Sequence, residues 1–93
     1  MYVYVIASSP HTVKIGYSAD PDRRLQQLQV GHERQLVLVH QEKVGEIQAP
    51  ILEKLIHRAN RHKTVRGEWF DLSHQEAILE VKFAVIRYSD ESS

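Results

Sequence analysis

The sequence predicts an α+β layer fold: a small three-stranded antiparallel sheet flanked by helices. Three observations carry this reading. Two β-rich runs at the start are separated by a turn, two segments open with strong helix-start signals, and an apolar stripe of helical period lies between them. At 93 residues the chain is expected to form one domain (1–93), with a core over about 2–88 and a frayed end at 89–93. Hydrophobic residues make up 42 % and charged residues 26 %, an ordinary globular composition. No apolar run approaches the length of a membrane span, and the first residues lack a signal-peptide layout, so no membrane partner is expected. Cysteine is absent, which excludes disulfides, cysteine-ligated zinc and a cysteine nucleophile. A reducing, cytoplasmic location fits that absence.

Residues 2–7 are rich in β-branched and aromatic side chains and read as a strand. Residues 8–11, with Pro10, read as a turn, and 12–17 as the hairpin partner. Asp20 precedes Pro21, a capping acid before a proline suited to the first helical position. The helix that follows carries Leu25 and Leu28 and should stop near Gly31, whereas 35–39 reads as a third strand. A second helix is expected over 47–60, with Leu52, Leu55, Ile56 and Ala59 as its apolar stripe and Pro50 in its first turn. Gly67 breaks the chain before a short extended piece at 69–72. Ser73 and Glu76 then form a capping box for a last helix that buries Ala77, Ile78, Val81 and Val85.

Side chains alternate across a strand, so each hairpin strand has two faces. Register set by the apolar pattern puts Val3, Val5, Ala7, Val13, Ile15 and Tyr17 on one core side. The other face then presents Tyr2, Tyr4, Ile6, Thr12, Lys14 and Gly16 for chemistry. A lysine beside a tyrosine favours the phenolate, so Lys14 is expected to draw the Tyr4 pKa down.

The charges sum to zero, with 12 Lys+Arg against 12 Asp+Glu, which on average speaks against a nucleic-acid partner. The average hides a pattern. Residues 54–66 hold five cations (Lys54, Arg58, Arg61, Lys63, Arg66) and no acid, and Arg23 and Arg24 form a second basic point. Such clusters attract phosphates over about a Debye length, ~8–10 Å, whatever the net charge. His57 and His62 are five residues apart, on different helical faces, which argues against a zinc pair. Trp69 and Phe70 can stack bases or fill the core, and core packing is the expectation above all for Phe70. Glu68 is expected to pair with an arginine of the basic segment.

Tyr2-Val3-Tyr4, then Lys14-Ile15-Gly16, then Arg24 eight residues past that glycine, resemble the motifs of the GIY-YIG nuclease superfamily. The run VKIGYSADPDRRLQQLQ, followed by LEKLIH and GEWF, is similar to its small phage-type, DNA-binding branch, also labelled the meiotically up-regulated gene family. The resemblance covers roughly residues 2–72. It implies a GIY-YIG-like three-stranded sheet and metal-dependent hydrolysis of DNA phosphodiesters using Mg²⁺ or Mn²⁺. Carried over by residue, it implies catalytic roles for Tyr4, Lys14 (where the family has a tyrosine) and Arg24, with Glu53 as metal ligand. Gly16 matches the glycine of the second motif. His57, four residues after Glu53 on one helix face, suits a proton shuttle, a partner to the metal ligand or a phosphate contact. Asn60 is the nearest candidate for a late asparagine of the family. Arg23, Lys54, Arg58, Arg61, Lys63 and Arg66 are the candidate DNA contacts.

The resemblance thus implies, as the leading reading, a DNA endonuclease of weak sequence specificity, acting alone or as a homodimer or larger complex. The alternatives are a catalytically silent DNA-binding domain using the same cleft, or a protein-interaction domain with a vestigial site.

Overall fold

The computed structural model describes residues 1–92, with side chains described through Tyr88. Strand β1 (Tyr2–Ser9) turns through Pro10 and His11 into β2 (Thr12–Ser18), forming the expected hairpin. Helix α1 (Pro21–Gln29) follows, then β3 (Val37–Lys43) and helix α2 (Gln48–Ala59). A single 3₁₀ turn at Arg61–Lys63 leads into β4 (Thr64–Arg66), β5 (Trp69–Asp71) and the long helix α3 (His74–Ser92).

All strand pairs are antiparallel and run in the order β3-β1-β2-β5-β4, so the sheet has five strands where three were expected. The extra pair has a local cause. Gly67 takes the left-handed conformation (φ 55°) that a side chain resists, folding β4 back on β5 so that Thr64 meets Phe70 and Arg66 meets Trp69. β4 is exposed throughout, so no alternation of hydrophobicity betrays it. β3 also lies further along the chain than the expected 35–39. Its pairing with β1 runs from Ala7↔Val37 to Tyr2↔Lys43, and the polar end (His40, Gln41, Glu42, Lys43) is typical of a guarded sheet edge.

One face behaves largely as the pattern requires. Val3, Val5, Ala7, Val13 and Ile15 are buried against Leu52 and Ile56 of α2, Ala77 and Val81 of α3, and Phe70 and Leu72. Tyr17 departs from it and stays 41 % exposed, because it lies on the stretch of β2 beyond the pairing with β5. The opposite face is not the open surface expected. Tyr4 and Ile6 are buried with Leu36, under Leu25 and Leu28 of α1 and beside Leu38 and Trp69. The sheet is therefore covered on both sides, by α2 and α3 below and by α1 above. Phe70 fills the lower core, whereas Trp69 is half-buried on the upper face.

Both capping predictions hold. The Asp20 carboxylate accepts the Arg23 N–H (3.2 Å), with Pro21 in the first turn of α1. Ser73 Oγ accepts the Glu76 N–H (3.1 Å), and Glu76 Oε1 accepts the Ser73 N–H (3.0 Å). These bonds, Ser73 first, hold the Glu76 carboxyl below its ordinary pKa. α3 remains helical to Ser92, so the expected fraying over 89–93 is not seen there, and Ser93 lies outside the described residues.

Ser73→Ala should lower stability by about 1 kcal/mol in urea denaturation at neutral pH. Because the Glu76 pKa is depressed in the fold, the stabilisation it contributes is present above the unfolded carboxylate pKa and is lost as pH falls through the folded one. The gap between wild type and Ser73→Ala should therefore shrink in acid.

Candidate functional site

Tyr4 faces Gly16 across the β1–β2 pair. A Cβ placed on Gly16 would sit 2.5 Å from Tyr4 Oη and 2.7 Å from Cζ, so the phenol occupies the space a side chain would fill. This is the physical reason the Lys-Ile-Gly run ends in glycine. Burial raises the Tyr4 pKa. The Arg24 guanidinium, reaching over from α1, draws it partly back, and the charges of Glu68 and Glu53 add to the rise. The expected lowering by Lys14 does not occur: Lys14 lies opposite Ile6, and its ammonium is committed to Glu68. Tyr4 is thus a neutral phenol at physiological pH, a hydrogen-bond donor in place of a base.

The neighbouring groups gather where a strand pairing runs out. β5 pairs with β2 only from Thr12 to Lys14, with one further bond from Ile15 N–H to Glu68 O (3.4 Å). Beyond it the edge of β2 is met by α2. His57 Nε2 lies 2.7 Å from the Ile15 carbonyl, and the Glu53 carboxyl sits near enough to the Tyr17 N–H to feel its dipole. α2 is held at this edge by its buried stripe of Ala49, Leu52 and Ile56, beside which Glu53 and His57 share one face. A carbonyl only accepts, so His57 Nε2 carries a proton, and in the neutral ring Nδ1 is the nitrogen with the lone pair. The imidazole also packs on Phe70, ring centroids 5.1 Å apart.

Glu68, on the β4–β5 turn, completes the group. Ligand atoms of Glu53, His57 and Glu68 all lie within 4.8 Å of one another. The Glu53 pKa is raised, first by burial and then by the Glu68 charge, with His57, Lys14 and the Tyr17 N–H opposing the rise. Glu68 does not pair with an arginine of the basic segment. Its Oε2 lies 2.6 Å from Nζ of Lys14, whose side chain is only 9 % exposed. The same ammonium stands 5.9 Å from the Trp69 ring centre. Sequence reasoning did not count Glu68 among the site residues. The only available signal was its position after Gly67, and reaching the site depends on the unforeseen β4–β5 hairpin. Two carboxylates and an imidazole within this span suit a divalent cation in chemistry and in reach.

The other candidates are dispersed. Arg23 is exposed on α1 beside Arg24, and Lys54 is exposed on α2 beside Glu53. Arg58 lines a groove with Glu80 and Arg87 of α3, whereas Arg66 lines a separate hollow with Ser9, Thr12 and Arg34. Arg61 is exposed on the 3₁₀ turn, and Lys63 pairs with Glu76 at 3.5 Å. Asn60 is buried at the end of α2, where its amide donates to the Ile56 carbonyl (2.9 Å); its role there is to close the helix. Among the described residues, Glu53, His57 and Glu68 are the one trio of metal-type ligands, and His62 is not part of it. No described helix is long and apolar enough to cross a membrane.

Glu53 and His57 approach the β2 edge from the helix below and Glu68 from the β4–β5 turn; a guanidinium, a phenol and an ammonium approach it from above. An α+β domain built this way has the composition of a site for a cation and a phosphate together. Residues 1–85 match the family described as the T5orf172 domain, and the chain belongs to that phage-associated family. No curated protein and no solved structure matches the chain.

Two outcomes follow from this geometry. Gly16→Ala should destabilise the fold by about 1–3 kcal/mol through crowding against the Tyr4 ring. In a Tyr4→Ala background the penalty should largely vanish, a coupling that a double-mutant cycle measures. The second concerns Glu53, whose folded pKa lies above the ordinary 4.5. A raised carboxyl pKa means stability falls as pH rises from the unfolded to the folded value, and the loss persists above it. Glu53→Gln should therefore be more stable than wild type at pH ~7, with the difference closing below the unfolded pKa.

Proposed function

We propose that this domain is a metal-dependent DNA endonuclease of the GIY-YIG type that hydrolyses phosphodiesters with little sequence preference of its own. The observation that carries the reading is the meeting of Glu53 and His57 with Tyr4, Arg24 and Lys14 at the single place where the β2 edge leaves β5. Glu53 would hold the Mg²⁺ or Mn²⁺, with His57 beside it. When bound, such an ion polarises a phosphate and stabilises the leaving oxygen.

The chain's own groups take the remaining roles. Arg24 presents a planar fork to the scissile phosphate and stabilises charge that grows in the transition state. Tyr4 Oη donates a hydrogen bond to a phosphate oxygen or the attacking water. His57, fixed by its Nε2–H on the Ile15 carbonyl, has Nδ1 free to take a proton from that water or to ligate the cation. Of the candidate DNA contacts, Arg23 and Lys54 adjoin Arg24 and Glu53 in sequence and would flank the substrate most directly. The dispersion of Arg58, Arg61, Lys63 and Arg66 favours a weak hold on the duplex over a continuous basic track. Few groups are left to read base edges, which favours structure-led selectivity.

Nicking of supercoiled plasmid in Mg²⁺ or Mn²⁺ tests the proposal. Wild type should nick, Arg24→Ala should lose about 10²–10³-fold, and Glu53→Ala should fall to background. Nicking that survives Glu53→Ala overturns the mechanism. DNA binding without nicking, weakening with salt by a log–log slope of about −0.9 per phosphate contacted, would identify a silent binding domain instead.

A further inference from the structure

Lys14 is the feature the proposed reaction leaves least explained. An ammonium on a side chain 9 % exposed is costly to bury and needs a partner. That partner is Glu68, whose ligand oxygen also lies within 4.8 Å of those of Glu53 and His57. Lys14 and a divalent cation therefore seek the same carboxylate. Glu68 itself is 43 % exposed and stands on a turn, so it can rotate between the two without disturbing the core.

We propose that Glu68 is the second carboxylate of the cation site and that Lys14 is its built-in competitor. This rests on the nuclease reading and deepens it. In the cation-free protein the ammonium neutralises Glu68 and holds the turn after Gly67 against β2. When a divalent cation takes up Glu53, His57 and Glu68, the carboxylate turns to it and Lys14 is released. The freed ammonium, on the same upper face as Tyr4, then becomes available to a phosphate oxygen. Cation and phosphate affinities are coupled through this exchange, and the coupling is reciprocal. Lys14 acts on the cation through Glu68, so it is a positioning residue for the cation and gains a phosphate only after the exchange.

The test uses the full chain without DNA, titrated with Mn²⁺ and followed by loss of the free-ion EPR signal and by Trp69 fluorescence. Trp69 is the one tryptophan of the chain and lies 5.9 Å from the Lys14 ammonium, so its emission reports the release directly. Wild type should bind Mn²⁺ with a change in emission. Glu68→Gln should bind about 10–100-fold more weakly, and Lys14→Met about tenfold more tightly and with the emission change lost. In the Glu68→Gln background, Lys14→Met should have no further effect on binding. Because Met matches the length of the lysine stem and the exposed Glu68 can hydrate, Lys14→Met should fold, and Lys14→Gln serves as its second form. Equal Mn²⁺ affinity in wild type and Glu68→Gln, or no tightening in either Lys14 variant, overturns the inference. If binding then still depends on Glu53, tested with Glu53→Gln, the nuclease reading survives that failure; if wild type binds no Mn²⁺ at all, both fall.

Discussion

The site depends on one unfinished strand pairing. β5 follows β2 for three residue pairs and then leaves it, so the Ile15 carbonyl and Tyr17 N–H have no strand to bond. Unmet backbone groups at such an edge are costly when covered and invite aggregation when open. Here α2 brings side chains to the edge, with His57 bonded to the carbonyl and the Glu53 carboxyl near the amide. The His57 bond orients the imidazole, puts a proton on Nε2, and ties the edge to the helix whose apolar stripe closes the lower core. Fold and chemistry thus share the same contacts at this edge.

The edge is also where the two covered faces of the sheet can communicate. Tyr4 and Lys14 project upward beneath α1, and Glu53 and His57 belong to the helix below. Across the middle of the sheet such groups would be separated by a layer of backbone. At Gly16 the strand carries no side chain, the Tyr4 ring lies in the space, and the β4–β5 turn brings Glu68 alongside. The arrangement has an internal cost. Glu53 is partly buried near a like charge, which raises its pKa and makes its ionised form a burden on the fold at neutral pH. A site that strains against its own acids is suited to binding a cation, which relieves both.

Much of the scaffold was legible because its signals are local. Asp20-Pro21 and Ser73 with Glu76 announce helix starts through hydrogen bonds within one turn, and the alternation through β1 and β2 states which side chains are buried below. Tyr4, Arg24 and Glu53 were singled out by resemblance to nuclease motifs, and His57 by its spacing from Glu53. In the structure Arg24 and Glu53 act on Tyr4, while His57 acts on Glu53. What escaped the sequence depends on tertiary pairing. β4 has no buried residue to mark it, β3 extends through polar residues because β1 provides a partner, and α1 covers a face whose tyrosines looked suited to solvent. Glu68 was misread for the same reason: its partner is set by the turn that returns β5 to β2, and sequence proximity to arginines is a poor guide to that. The influence of Lys14 on Tyr4 failed on register, since alternate residues on one strand face can serve different neighbours.

The zero net charge also acquires a local meaning. Glu53 and Glu68 balance Lys14 and Arg24, so the cleft is formally neutral just as the whole chain is, with 12 cations and 12 acids. A neutral cleft offers little long-range pull to a phosphate backbone, and the outlying cations are spread over separate surfaces. On the proposed reading, a divalent cation tips this balance by two charges and frees an ammonium on the side where the phosphate must lie. Attraction for the substrate then rises only when the ion that the chemistry requires is in place. An evenly charged chain is compatible with cutting nucleic acid for that reason: the missing positive charge is supplied at the moment of use.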